Sequence, residues 1–285
     1  MRRMLSVMSI FLLIRAISIR AEDVTTFHAY ADSDLCARLM LGPITQSRVE
    51  CSQKTFKEGS NAVVVRLNDN TVFSVNRERM LRDYVGKLVS VTGEARVNSG
   101  TMKLESVMPE ESANIPQGDP ARKMLDVRTY RAVDAEVHEG VRHQLAMMPY
   151  ITTFDFISFS LVDDTVILTG WTVRATNRSD AAFRAKSVKG VRTVVNNIEE
   201  LPLGNEDMRI RADTRTRLQR VLSTYFWSSG SDIKIIVRNG NIILLGSVRS
   251  QADSDAATIQ ARTVPLAFAV FNLLRVVQPN TKEKI

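Results

Sequence analysis

Two cysteines and three histidines are the whole supply, in 285 residues, of the side chains most often used to hold metals or attack substrates. His28 stands alone, and His138 and His143 are five positions apart. A zinc-protease helix needs its histidines four apart to face one metal, so Arg142 sits where the second ligand belongs. A solvated helix face is the better reading of that stretch. There is no Gly-rich phosphate loop, serine elbow or CxxC pair. Asp163-Asp164 are adjacent acids between two strands, which is turn chemistry rather than a catalytic carboxylate pair. After the N-terminus no apolar run is long enough for a transmembrane helix. The chain offers no catalytic constellation, no metal site and no cofactor site, and reads as non-enzymatic.

What is present begins with an export signal. Arg2 and Arg3 precede an apolar stretch, Leu5 to Ile14, too short to span a bilayer comfortably. Cleavage is expected after Ser18 or Ala21, with a retained anchor as the alternative. Loss of residues 1–21 removes Arg2, Arg3, Arg15 and Arg20 and no acids, so the formal charge of +7 becomes +3. In an exported chain Cys36 and Cys51, close in sequence, point to one disulfide. With 44% hydrophobic and 24% charged residues the rest is ordinary globular protein, long enough for two or three domains. The expected division is a signal at 1–21, a β-rich unit at 27–110, a linker at 111–127, and two modules at 128–202 and 205–278.

In the β-rich unit, Ala62–Leu67 and Thr71–Val75 flank the turn Asn68-Asp69-Asn70. Arg79–Tyr84 predicts a short helical turn. Lys87–Ala95 and Met102–Val107 are further strands about the turn Asn98-Ser99-Gly100. This order, with the pattern Gly-Lys-x-Val-x-Val-x-Gly from Gly86 to Gly93, resembles a small OB-like barrel of exported bacterial proteins. OB barrels often bind oligonucleotides or sugars. Few aromatics lie on these strands to stack bases, however. Pro109, Pro116 and Pro120 mark the linker.

The C-terminal half is duplicated. Thr165–Gly170 recurs as Asn241–Gly246 at an offset of 76 residues. Ala181, Ala185 and Val188 recur as Ala257, Ala261 and Val264, and Val194-Val195-Asn196 as Val270-Phe271-Asn272. In the first copy Val137, Val141, Leu145 and Met148 carry a helical period, and Phe156–Val162 and Thr165–Gly170 form a hairpin. Asn177 is the expected N-cap of a second helix ending at Gly190, and Thr193–Leu201 is a third strand. The second copy follows suit: a helix marked by Ile210, Leu218, Val221 and Leu222, strand Ile233–Val237, a type I′ turn at Asn239-Gly240, and strand Ile242–Gly246. A helix near Asp253–Val264 and a strand at Val270–Val277 complete it. Gly170 and Gly246 let the backbone bend out of the strand. Each module is α-β-β-α-β, and the fold class is α+β.

A leading acid (Asp134, Asp207), the Val-x-Leu-x-Gly strand, the alanine-bearing helix and Gly190-Val191-x-x-Val194-x-Asn196 together resemble the BON domain. The second copy departs where Leu266-Ala267 replaces Gly190-Val191, so that turn is expected to differ in detail. The resemblance implies a periplasmic or outer-membrane-associated protein without catalytic residues, binding phospholipid surfaces or envelope partners. The copies differ most in their first helices. Asp134, Glu136 and Glu139 mark the first copy, whereas Arg209, Arg211, Arg215, Arg217 and Arg220 crowd the second and lead into Tyr225-Phe226-Trp227. Arginine pairs with phosphate, and tryptophan and tyrosine favour the headgroup boundary. These eight residues are the candidate contact with an anionic phospholipid surface, with the barrel adding a second binding surface. The alternative is a periplasmic protein–protein scaffold that docks partners on the open sheet faces. Export and a modest mature charge disfavour a nucleic-acid partner.

Overall fold

Small and branched side chains alternate along five N-terminal strands, so one face of each turns into a shared interior. In the computed structural model, which describes residues 24–125, 135–227 and 232–277, these strands close a barrel. They are β1 (Val24–Ser33), β2 (Ala62–Arg66), β3 (Val72–Val75), β4 (Lys87–Arg96) and β5 (Thr101–Pro109). Their order is β1-β2-β3-β5-β4, with β4 returning to β1 and β3 parallel to β5. Ala29, Ala31, Val64, Phe73, Val91 and Leu104 fill it, and a 3-10 turn at Glu78–Tyr84 adds Leu81. The Glu78 carboxylate accepts the Ala62 N–H at 2.8 Å and fixes that turn.

Between β1 and β2 lie two helices that hydrophobic periodicity did not reveal. They are α1 (Asp34–Leu39), capped by Ser33, and α2 (Gln46–Lys57), capped by Thr45. α2 buries Arg48, Ser52 and Thr55 instead of an apolar stripe. Arg48 donates from Nε to Asp32 at 3.0 Å and from Nη1 to the Gly42 carbonyl at 2.7 Å, and its guanidinium lies over the Tyr30 ring. A buried pair of this kind is tolerated because the surroundings satisfy it. The Cys36–Cys51 disulfide expected from the sequence joins α1 to α2, with Cα atoms 6.0 Å apart. The proline-marked segment after β5 is not loose: Ile115, Ala121 and Met124 pack against Tyr30, Val63 and Val65 on the outside of the barrel.

The first module comprises α3 (Ala135–Ala146), β6 (Phe156–Val162), β7 (Thr165–Thr172), α4 (Ala175–Lys186), β8 (Thr193–Asn196) and β9 (Glu199–Glu200). The second comprises α5 (Asn205–Val221), β10 (Ile233–Arg238), β11 (Asn241–Val248), α6 (Gln251–Arg262), β12 (Ala269–Asn272) and β13 (Arg275–Val276). In each, the hairpin is antiparallel and the crossover strand pairs in parallel, which makes the whole chain the expected α+β architecture. The signal stretch 1–21 and Asp134 lie outside the described residues.

Two expectations need correction. α4 starts at Ala175, so Asn177 is not its N-cap but a buried residue of the first turn. Asp155 sets the earlier start by accepting the Thr172 hydroxyl at 2.7 Å and the Val173 N–H at 2.8 Å. The third strand of each module is also two short strands. Asn196 accepts the Ile198 N–H at 3.2 Å and Asn272 the Leu274 N–H at 3.0 Å, turning the chain between them. The repeated glycines serve close approach: at Gly170 (φ 116°) and Gly246 (φ 108°) an added Cβ would lie about 2 Å from a carbonyl oxygen of the neighbouring strand.

Candidate functional site

Along β7 and β11 every second side chain points away from the module's own helices, and these faces meet. Trp171 and Leu201 of the first module and Ile236, Ile243, Leu245 and Phe271 of the second bury against Leu35 and Leu39 of α1. Charged side chains from all three units rim this core. Arg38 of α1 pairs with Asp34 at 2.8 Å and with Glu199, while Arg238 reaches Asp34 at 3.4 Å and Glu199 at 3.6 Å. The Trp171 indole N–H donates to Glu199 at 3.3 Å. Thr169 donates to the Leu39 carbonyl at 3.0 Å, and the Ile235 N–H donates to the Thr153 carbonyl at 2.7 Å, covering the β10 edge. The helix-free faces that a scaffold would present to partners are therefore occupied by the chain itself. So is the outer β1–β2 face of the barrel, against which Ile167 also packs. The helix layers remain outward.

Within α5 the inward residues are Asp207, Ile210, Arg211, Thr214 and Leu218. Asp207 accepts the N–H groups of Asn239 at 3.0 Å and Gly240 at 2.8 Å, holding the predicted I′ turn, whose φ values are 51° and 74°. Arg211 is buried and donates to the carbonyls of Pro202 at 3.0 Å and Val237 at 2.9 Å. Burial pulls its pKa below the usual guanidinium value, against the opposing pull of Asp207 and Asp155. Tyr225 is buried too. Its hydroxyl donates to Asp253 at 2.7 Å and accepts the Arg249 N–H at 2.9 Å. Phe226 is half-buried against the module core.

Four arginines and one indole of the predicted set remain available. Arg209, Arg215 and Arg220 are exposed, and Arg217 is half-exposed with one N–H on the Thr263 hydroxyl at 3.1 Å. Trp227 is 79% exposed. At about 100° per residue, Arg209 and Arg220 share the outer face of α5 with Asp213, while Arg215 and Arg217 lie on opposite flanks. The structure thus spreads the four arginines over the outer face and both flanks of α5 and leaves one exposed indole beyond its C-terminal end, without forming a cavity. In the first module the helix face at His138 has its ring beside Phe159 and an exposed Glu139–Arg142 ion pair. The same contrast holds over whole modules. Residues 135–202 carry seven Arg and Lys against eight acids, whereas residues 205–277 carry ten against six.

One further surface was not assigned a role from sequence. At Leu266-Ala267, where the turn is expected to differ in detail, Leu266 takes φ 66°, within the left-handed region that Gly190 occupies at φ 98°. A residue with a Cβ pays roughly 1–2 kcal/mol there. Two residues on, Phe268 is 84% exposed. The 76-residue offset was the signal that could have singled it out, because it aligns Phe268 with Arg192.

A family model for the BON domain matches residues 133–202 and again residues 211–278. The chain carries two BON domains. The module carrying the acidic helix is the first, and the module carrying the basic helix and Trp227 is the second. BON identity carries a general envelope-associated, non-catalytic role. No curated protein sequence matches the chain. Among solved structures, two of CdsD, a structural protein of the type III secretion system of Chlamydia trachomatis, are similar at 10% identity. Each covers 50% of this chain, and 93% or, for its C-terminal domain, 98% of its own, with TM-scores of 0.20 and 0.19. No helix among the described residues is long and apolar enough to cross a membrane.

Proposed function

We propose that the second BON domain binds the surface of an anionic phospholipid membrane in the bacterial envelope, on its periplasmic side, while the barrel and the first BON domain hold it in position. The observation that carries this reading is the asymmetry of the tandem copies. One fold is repeated, yet only the second copy combines a net +4 charge with outward arginines and an exposed indole. Near an anionic surface each such basic side chain contributes about 1 kcal/mol, so Arg209, Arg215, Arg217 and Arg220 together suffice for reversible binding. The covered sheet faces favour this over a scaffold that docks partners there.

Co-sedimentation of the disulfide-bonded protein with vesicles of phosphatidylglycerol and phosphatidylcholine tests it. Binding is expected to grow with the anionic fraction and to weaken with salt. A variant with Arg209, Arg217 and Arg220 changed to Glu, and the buried Arg211 left in place, is expected to lose at least tenfold in affinity. Equal binding by that variant contradicts the assignment of this site.

A further inference from the structure

The two BON domains use the same late turn for opposite purposes. In the first, Gly190 supplies the left-handed residue, and Arg192 forms an exposed ion pair with Asp164 at 2.9 Å that ties the turn to the hairpin. At the matching positions the second domain has Leu266, Phe268 and Gly240. The Phe268 N–H still donates to the Gly240 carbonyl at 2.9 Å, so the connection is kept while the ion pair is gone. An aromatic ring lies over Gly240 instead: a Cβ added there would sit 2.6 Å from it. Neither replacement is recovered as core packing, because Leu266 is 60% exposed and Phe268 84%. A strained leucine and a solvent-facing phenylalanine, side by side, are costly features for the fold alone.

We propose that Leu266 and Phe268 are the side chains with which the second BON domain enters the apolar boundary of the membrane. This rests on the reading of that domain as a lipid-surface binder. Its immediate surroundings fit a headgroup layer. Ile259, on the line of α6 that runs to this turn, is 61% exposed. Exposed Arg262 follows one turn later, and Arg217 reaches across from α5 to Thr263. Apolar tips framed by arginines match an interface whose surface is anionic and whose interior is hydrocarbon. The acid in the hollow behind Phe268 is Glu58 of the barrel unit, beside Arg262.

The first domain supplies its own control. Grafting its residues into the second, as Leu266→Gly with Phe268→Arg, relieves the left-handed leucine and adds one positive charge. Electrostatics alone predicts that this double variant binds phosphatidylglycerol vesicles more tightly. Insertion predicts the opposite: at least tenfold weaker binding, with an unfolding midpoint no lower than that of the wild type. Phe268→Ser alone is expected to weaken binding in the same direction, which guards against a graft that disturbs the turn. A graft and a serine variant that bind as tightly as the wild type overturn the inference, and leave the arginine surface standing. A wild-type protein that ignores anionic vesicles at low salt overturns both.

Discussion

Arg209 and Arg211 are two positions apart and chemically identical, yet they have different roles. Arg211 points inward and satisfies two backbone carbonyls, whereas Arg209 stands on the outer face of α5. Arg211→Ala is expected to destabilise the protein by roughly 2–4 kcal/mol, since it leaves the buried Val237 carbonyl unpaired and opens a cavity. Arg209→Ala is expected to change stability by less than about 0.5 kcal/mol. Chemical denaturation of the two variants checks this, and a similar loss in both would mean that α5 is oriented differently. The sequence shows five arginines in twelve positions but not which one turns inward. Arg211 is held by carbonyls of Pro202 and Val237, from outside its own helix, and backbone acceptors leave no trace in residue identity. Tyr225 is similar: its partner Asp253 lies 28 positions away.

At the scale of elements, legibility followed the chemistry of the buried face. The duplicated strands were readable because their inward residues are branched and apolar, and Asn239-Gly240 because a two-residue I′ turn demands residues that tolerate positive φ. α2 was not, because its buried face is Arg48, Ser52 and Thr55, which carry no hydrophobic period. α1 is only six residues long, yet it is the surface on which both BON sheets converge. Its tie to α2 is the disulfide, closing a loop with a sequence separation of 15. Loop-closure entropy assigns such a crosslink about 3 kcal/mol. Reduction, or Cys36→Ala with Cys51→Ala, is therefore expected to lower unfolding free energy by roughly 2–4 kcal/mol. It is also expected to raise amide exchange on β7 and β11, whose helix-free faces rest on α1. Unchanged exchange on those strands would mean that the modules hold together without the crosslink.

For the whole molecule, the repeat period identified the modules and their topology, but not how they are arranged. Ile167, Trp171, Ile243 and Leu245 alternate with core residues, and that pattern says only that both faces of a strand are buried. Whether the second face meets a partner or the chain itself depends on contacts between segments far apart in sequence, such as Arg38 with Glu199. Closure of both sheets onto α1 leaves the helix layers outward, and the first helices of the two copies differ in charge: α3 carries two glutamates and one arginine, α5 five arginines and three acids. The two tryptophans sit one in each copy. Trp171 is 1% exposed in the shared core, and Trp227 is 79% exposed beside the basic helix. Tryptophan emission titrated with phosphatidylglycerol vesicles therefore reports on Trp227 against a fixed Trp171 background. The expected result is a blue shift that grows with vesicle concentration and is reversed by salt. Emission that stays unchanged at saturating vesicle concentration contradicts membrane contact by the Trp227 end of the second BON domain.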